Sequence, residues 1–82
     1  MNDSLESSRV VKSFRVKKGL TLEQASSLVG WHFNTYSRRE NNPLNYPIDE
    51  LFLMVEVLGG DFDEFFNALT QDFKSYKTVL NK

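Results

Sequence analysis

Helix breaks recur along this chain at Gly19, Gly30, Asn42-Pro43 and Gly59-Gly60, and the stretches between them suit only short helices. Helix starts alternate with these stops. Asp3-x-x-Glu6 can serve as a capping box for a first helix, with Val10, Val11 and Phe14 on its apolar face and Gly19 as its stop. Thr21 to Gln24 is a second capping box; the helix it opens carries Leu22, Ala25 and Leu28 or Val29, and Gly30 breaks it. A third helix is expected from about His32 to Glu40, with Phe33, Tyr36 and the stem of Arg39 on related turns. Pro43 ends it, because proline cannot continue a helix and biases Asn42 away from helical geometry. Pro47 suits the first position of a fourth helix, which is expected to bury Ile48, Leu51, Phe52, Val55 and Leu58. Asp61-x-x-Glu64 then caps a fifth helix starting at Phe62. No segment alternates with the period of a strand. The fold class is therefore all-α, a compact domain of five helices.

A chain of 82 residues has room for one domain, 1–82, with its core over about 8–69 and a C-terminal helical extension over 70–82. Along that last helix Phe62, Phe66, Leu69, Phe73, Tyr76 and Leu80 recur at alternating steps of four and three. Such a stripe can wrap a partner helix, although it runs for only about two and a half heptads. Two roles are open to it. Phe62, Phe65 and Phe66 are expected to pack on the chain's own core, and Phe66, Leu69, Phe73, Tyr76 and Leu80 are candidates for a homodimer contact.

Composition removes several classes of function. Without cysteine there is no disulfide framework and no thiolate metal site, and the lone His32 is too little for a zinc finger. No cofactor or metal is called for. No apolar run is long enough to cross a bilayer, and the start, Met1-Asn2-Asp3-Ser4, is unlike a secretory signal, so a cytoplasmic domain is expected. Catalysis has no support either: no nucleophile has a matched base and no glycine loop cradles a phosphate.

Charge is unevenly spread. Between Arg9 and Arg39 stand seven basic residues and the single acid Glu23, whereas Glu40 to Glu64 holds seven acids and no base. In a folded molecule such a split can give one basic and one acidic pole, or it can be no more than locally solvated helix charge.

The spacing of Gly19-Leu20-Thr21, Gly30 and Glu40 resembles the phage-repressor helix-turn-helix superfamily (lambda repressor-like, XRE type), without gaps from about Val10 to Phe66. Ser26 takes the place of the small residue that lets the second and third helices approach. Tyr36 fills the apolar position of the third helix, ahead of Ser37, Arg38 and Glu40. Ile48 to Leu58 matches the family's fourth helix, and Leu58-Gly59 with Phe62 to Phe66 matches its end.

The resemblance implies double-stranded DNA as partner, with the third helix in a major groove about 12 Å wide. His32, Phe33, Asn34 and Arg38 would then face bases: Asn34 suits adenine, Arg38 guanine, and Phe33 a thymine methyl. Lys17, Lys18, Thr21, Ser37, Asn41 and the amide of Leu22 would meet the phosphates. The alternative for Asn34, Arg38 and His32 is a polar surface, with His32 as a helix cap. The resemblance also implies an ion pair between Arg15 and Glu40 that holds the third helix; breaking such a pair, if buried, typically costs about 3 to 5 kcal/mol. Trp31 reads as packing in the turn. Three positions depart from the family: leucine at 22, often a polar residue; histidine at 32, usually a small cap; arginine at 39, usually apolar.

Two functions are consistent with this pattern. One is a repressor-type, sequence-specific transcriptional regulator acting as a homodimer on half-sites about one helical turn apart. Because the sequence ends soon after the helices, no fused sensor domain is expected, and control would come through concentration, an antirepressor or a regulatory protein partner. The other is a protein-binding adaptor or inhibitor, antitoxin- or antirepressor-like, suggested by the acidic fourth and fifth helices and the aromatics Phe65, Phe66, Phe73 and Tyr76.

Overall fold

A computed structural model describes residues 5–80 of the chain, with side chains through Ser75. Five helices succeed one another: α1 Glu6–Lys17, α2 Leu22–Val29, α3 Phe33–Asn41, α4 Ile48–Leu58 and α5 Phe62–Leu80, with a short 3₁₀ turn at Pro43–Asn45 before α4. The described residues contain no strand. The all-α class and the five helices stand as the sequence led us to expect.

Local chemistry explains most of the boundaries. At the start of α2 the capping box is complete: Thr21 Oγ1 accepts from the Gln24 amide at 3.1 Å, and Gln24 Oε1 accepts from the Thr21 amide at 2.9 Å. Gly30 closes the same helix in the left-handed region at φ 89°, where a side chain would be strained. The Gly30 and Trp31 amides then both donate to the Ser26 carbonyl, which turns the chain into α3. Asp61 Oδ1 accepts from the amides of Asp63 and Glu64 and opens α5.

The start of α1 is held differently. Leu5 occupies its N-cap position and makes no side-chain cap, and the helix begins at Glu6. Glu6 spends its carboxylate on Arg9 Nη2 at 2.6 Å; Asp3, the other half of the expected capping box, lies outside the described residues. The cap comes from α5 instead. Buried Asp72 accepts from the amides of Glu6 at 2.8 Å and Ser7 at 2.9 Å, and from the Ser7 hydroxyl. Its negative charge sits where the helix dipole is positive, so one side chain both satisfies orphan amides and fastens α5 to α1.

All five helices contribute to one core: Val11 and Phe14 from α1, Ala25 from α2, Tyr36 from α3, Leu51, Met54, Val55 and Leu58 from α4, and Phe65 from α5. Helical geometry corrects part of the expected α4 face. Its inward stripe is Leu51, Met54, Val55 and Leu58, at the three- and four-residue steps of a single face. Ile48 and Phe52 fall beside that stripe and stay exposed, and Met54 takes the fully buried place. Pro47 stands one residue earlier than expected, at the N-cap, with α4 beginning at Ile48. Phe52 is not idle: its ring lies nearly perpendicular to those of Phe62 and Phe66, with centroids 5.5 and 5.3 Å apart. Of the α5 aromatics expected in the core, Phe65 is fully buried, while Phe62 and Phe66 remain partly exposed over Phe52.

Candidate nucleic-acid interface

The α2–turn–α3 unit presents one face of α3 outward and anchors the other. Residues spaced three and four apart share a helix face. Tyr36 and Glu40 form the inward one and are both buried; Phe33, Asn34, Arg38 and Asn41 are exposed and Ser37 is half-exposed. His32 precedes them at the N-cap, its Nδ1 accepting from the Asn34 amide at 3.3 Å. In a neutral imidazole that bond leaves the proton on Nε2, which makes the second ring nitrogen a donor.

Behind α3 lies a buried polar junction. Glu40, 1% exposed, accepts on Oε2 from Arg15 Nε at 2.9 Å and from the Tyr36 hydroxyl at 2.8 Å. Arg15 Nη1 also donates to the Leu20 carbonyl at 2.9 Å, just ahead of α2. One guanidinium on α1 thus ties together the end of α3 and the entry to α2. Burial first, and then the hydrogen bond to Glu40, push the Tyr36 phenol far above the ordinary tyrosine range, so it remains a donor.

At the front of α2, Thr21 is exposed, and the amides of Leu22 and Glu23 belong to the first helical turn, where backbone donors have no intrahelical acceptor. The Leu22 side chain turns inward and packs against the core. Only its backbone can face a phosphate.

The helix-turn-helix family profile matches residues 11–65, about two thirds of the chain. This chain belongs to the XRE-type, lambda repressor-like helix-turn-helix family. No curated protein and no solved structure matches it. As a family of DNA-binding regulators, not typically enzymes, the helix-turn-helix proteins place this chain among DNA-binding regulators of the XRE type. Among the described residues no helix is long and apolar enough to cross a membrane.

Within this helix-turn-helix, the structure brings some of the sequence candidates together and separates others. His32, Phe33, Asn34, Ser37, Arg38 and Asn41 share the N-cap and outer face of α3, and Thr21 and Leu22 open the helix before it. Lys17 and Lys18 stand elsewhere, lining a depression with Leu58, Gly59, Gly60, Asp61 and Glu64 where α1 ends against the α4–α5 corner. Along α5, Phe66 and Phe73 are exposed and Leu69 is half-buried against the core; the side chains of Tyr76 and Leu80 lie outside the described residues.

The charge split of the sequence is partly cancelled by folding. Arg15 pairs with Glu40, and Arg39 with Glu50 at 2.6 Å, each joining the basic stretch to the acidic one. Of the two arginines on α3, Arg38 stays exposed while Arg39 is drawn inward. The hydrogen bond of Tyr36 to Glu40 went unnoticed in the sequence, although their i, i+4 spacing was a signal for it.

Proposed function

We propose that this chain is a repressor-type, sequence-specific transcriptional regulator of the cytoplasm that reads the major groove with α3 and acts as a homodimer. The observation that carries the reading is the two-sided character of α3. Its inner face is fastened through Tyr36 and Glu40 to Arg15, and its outer face presents Asn34 and Arg38 one turn apart. A helix held on one side by buried bonds can offer side chains to base edges in a fixed register, as groove reading demands.

In this reading Asn34 pairs with adenine and Arg38 with guanine, His32 donates from Nε2, and Phe33 packs on a thymine methyl. Thr21, the amide of Leu22, Ser37 and Asn41 meet the sugar-phosphate backbone. Lys17 and Lys18 then act through the long-range field, since Asp61 and Glu64 share their depression. Arg15 and Glu40 hold the helix and touch no base. Phe66, Leu69, Phe73, Tyr76 and Leu80 make the dimer contact along α5.

A specific observation favours a second reading, a protein-binding adaptor. Phe52, Phe62 and Phe66 form an exposed aromatic cluster with Asp49, Glu56 and Asp63 exposed on the same two helices. Such a surface suits a basic, apolar partner and repels phosphate. Selection of binding sites from a random duplex pool, alongside the mass in solution, separates the two. A palindromic site and a dimer support the regulator; an unenriched pool supports the adaptor.

A further inference from the structure

Arg39 stands on the recognition helix, next to Arg38, yet its guanidinium is drawn into the protein. Nε donates to Glu50 Oε1 at 2.6 Å and Nη1 to the Thr35 carbonyl at 3.3 Å. Two aromatic rings lie against it as well. Cζ lies 4.5 Å from the centroid of the Tyr46 ring and 5.1 Å from that of Trp31, and the side chain is only 19% exposed. A planar cation lying against two aromatic rings and bonded in its own plane is well matched to its surroundings; an ammonium could not fill the same slot.

The four groups it touches belong to four separate segments. Trp31 is in the turn between α2 and α3, Thr35 is on α3, Tyr46 is in the link before α4, and Glu50 is in the first turn of α4. From the depth of this contact we infer that Arg39 is a positioning residue that sets the roll of α3 against α4, a second brace beside the Arg15–Glu40 pair. Neighbouring residues on a helix point about 100° apart around its axis. Glu40 fastens α3 toward α1, and Arg39 fastens it toward α4. Two anchors in different directions fix rotation about the helix axis, which one anchor cannot do. The braces also meet: the Trp31 ring that stacks on Arg39 sits 6.5 Å from the ring of Tyr36, the residue bonded to Glu40.

This inference rests on the DNA-binding reading, and it makes a prediction of unusual sign. Removing an acid from a protein of net charge −1 ordinarily strengthens its attraction to DNA. Glu50→Gln should do the reverse, because it weakens the hold on Arg39.

The test measures duplex affinity against salt for the wild type, Glu50→Gln and Arg39→Met, at a temperature where each is fully folded by circular dichroism. Emission of Trp31, the only tryptophan, reports the stack. The expected result is a loss of about tenfold for Arg39→Met, equivalent to loosening one base contact, and a smaller loss for Glu50→Gln. Both variants should keep the wild-type salt slope and shift the Trp31 emission. A slope reduced by about one in Arg39→Met would make Arg39 a phosphate contact and overturn the proposal. So would stronger binding by Glu50→Gln, or a lowered melting point with affinity unchanged. A wild type that binds no duplex contradicts the DNA-binding reading instead. The brace is then judged by amide exchange: lost protection confined to 33–41 in Glu50→Gln upholds it, and unchanged or uniformly changed protection overturns it.

Discussion

Tyr36 and Arg15 share one oxygen of Glu40, the phenol donating at 2.8 Å and the guanidinium at 2.9 Å. Tyr36→Phe removes one of these donors and leaves the ion pair. A hydrogen bond to a charged group contributes about 1.5 to 3 kcal/mol, and a loss in this range is expected in denaturant unfolding. The same variant should change the alkaline limb of stability. The folded-state value of Tyr36 is raised above the ordinary one of 10.0, chiefly by burial. Its contribution is therefore complete below about pH 10, where the unfolded phenol begins to ionise, and is lost as pH rises beyond that. Melting monitored from pH 9 upward should fall less steeply in Tyr36→Phe than in the wild type.

Asp72→Ala removes a cap that local sequence does not replace, since Leu5 makes no side-chain bond at the start of α1. Two amides and the Ser7 hydroxyl lose their acceptor. The expected cost is about 2 to 4 kcal/mol, with a smaller one for Asp72→Asn, which keeps one oxygen. Denaturant midpoints for the two variants provide the check, and equal losses would contradict the capping role.

Gly60 is kept small by a neighbour. A Cβ there would fall under 3.0 Å from the Phe14 ring. Gly60→Ala should destabilise by about 1 to 3 kcal/mol through overpacking. Combined with Phe14→Leu, it should cost less than the sum of the two single changes, because the second makes room for the first. Additive losses in a double-mutant cycle would place the clash elsewhere.

Phe73, 55% exposed, lies on the proposed dimer stripe without serving the core. Phe73→Asp should convert a dimer to a monomer while the helical signal and melting of the folded subunit change little. Sedimentation across a concentration series reads the outcome.

Features decided by neighbouring residues were legible in the sequence. Thr21 with Gln24, Asp61 with the amides just after it, and Gly30 act within a few residues, and each helix boundary they mark falls where their chemistry places it. Action at a distance resisted. Nothing near Asp72 announces that it caps a helix 66 residues away, and Asp3-x-x-Glu6 offered a nearer cap in its place. Ile48 and Phe52 are apolar and well spaced for a core, yet the turn of α4 sets them beside it. Arg39 stood out as an arginine where the family is usually apolar; its contacts with Trp31 and Tyr46 exist only once the α2–α3 turn and the link before α4 are folded together. For the site, Arg15 and Glu40 were connected by the resemblance, as no local pattern links residues 25 apart.

The outward face of α3 carries the central claim, and site selection from a random duplex pool tests it most directly when wild type and Asn34→Ala are run side by side. The wild type should enrich a two-fold symmetric site. Asn34→Ala should recover the same site with preference relaxed at one position in each half, the signature of a lost base contact. An unenriched pool for the wild type, or an identical motif for the variant, would contradict it.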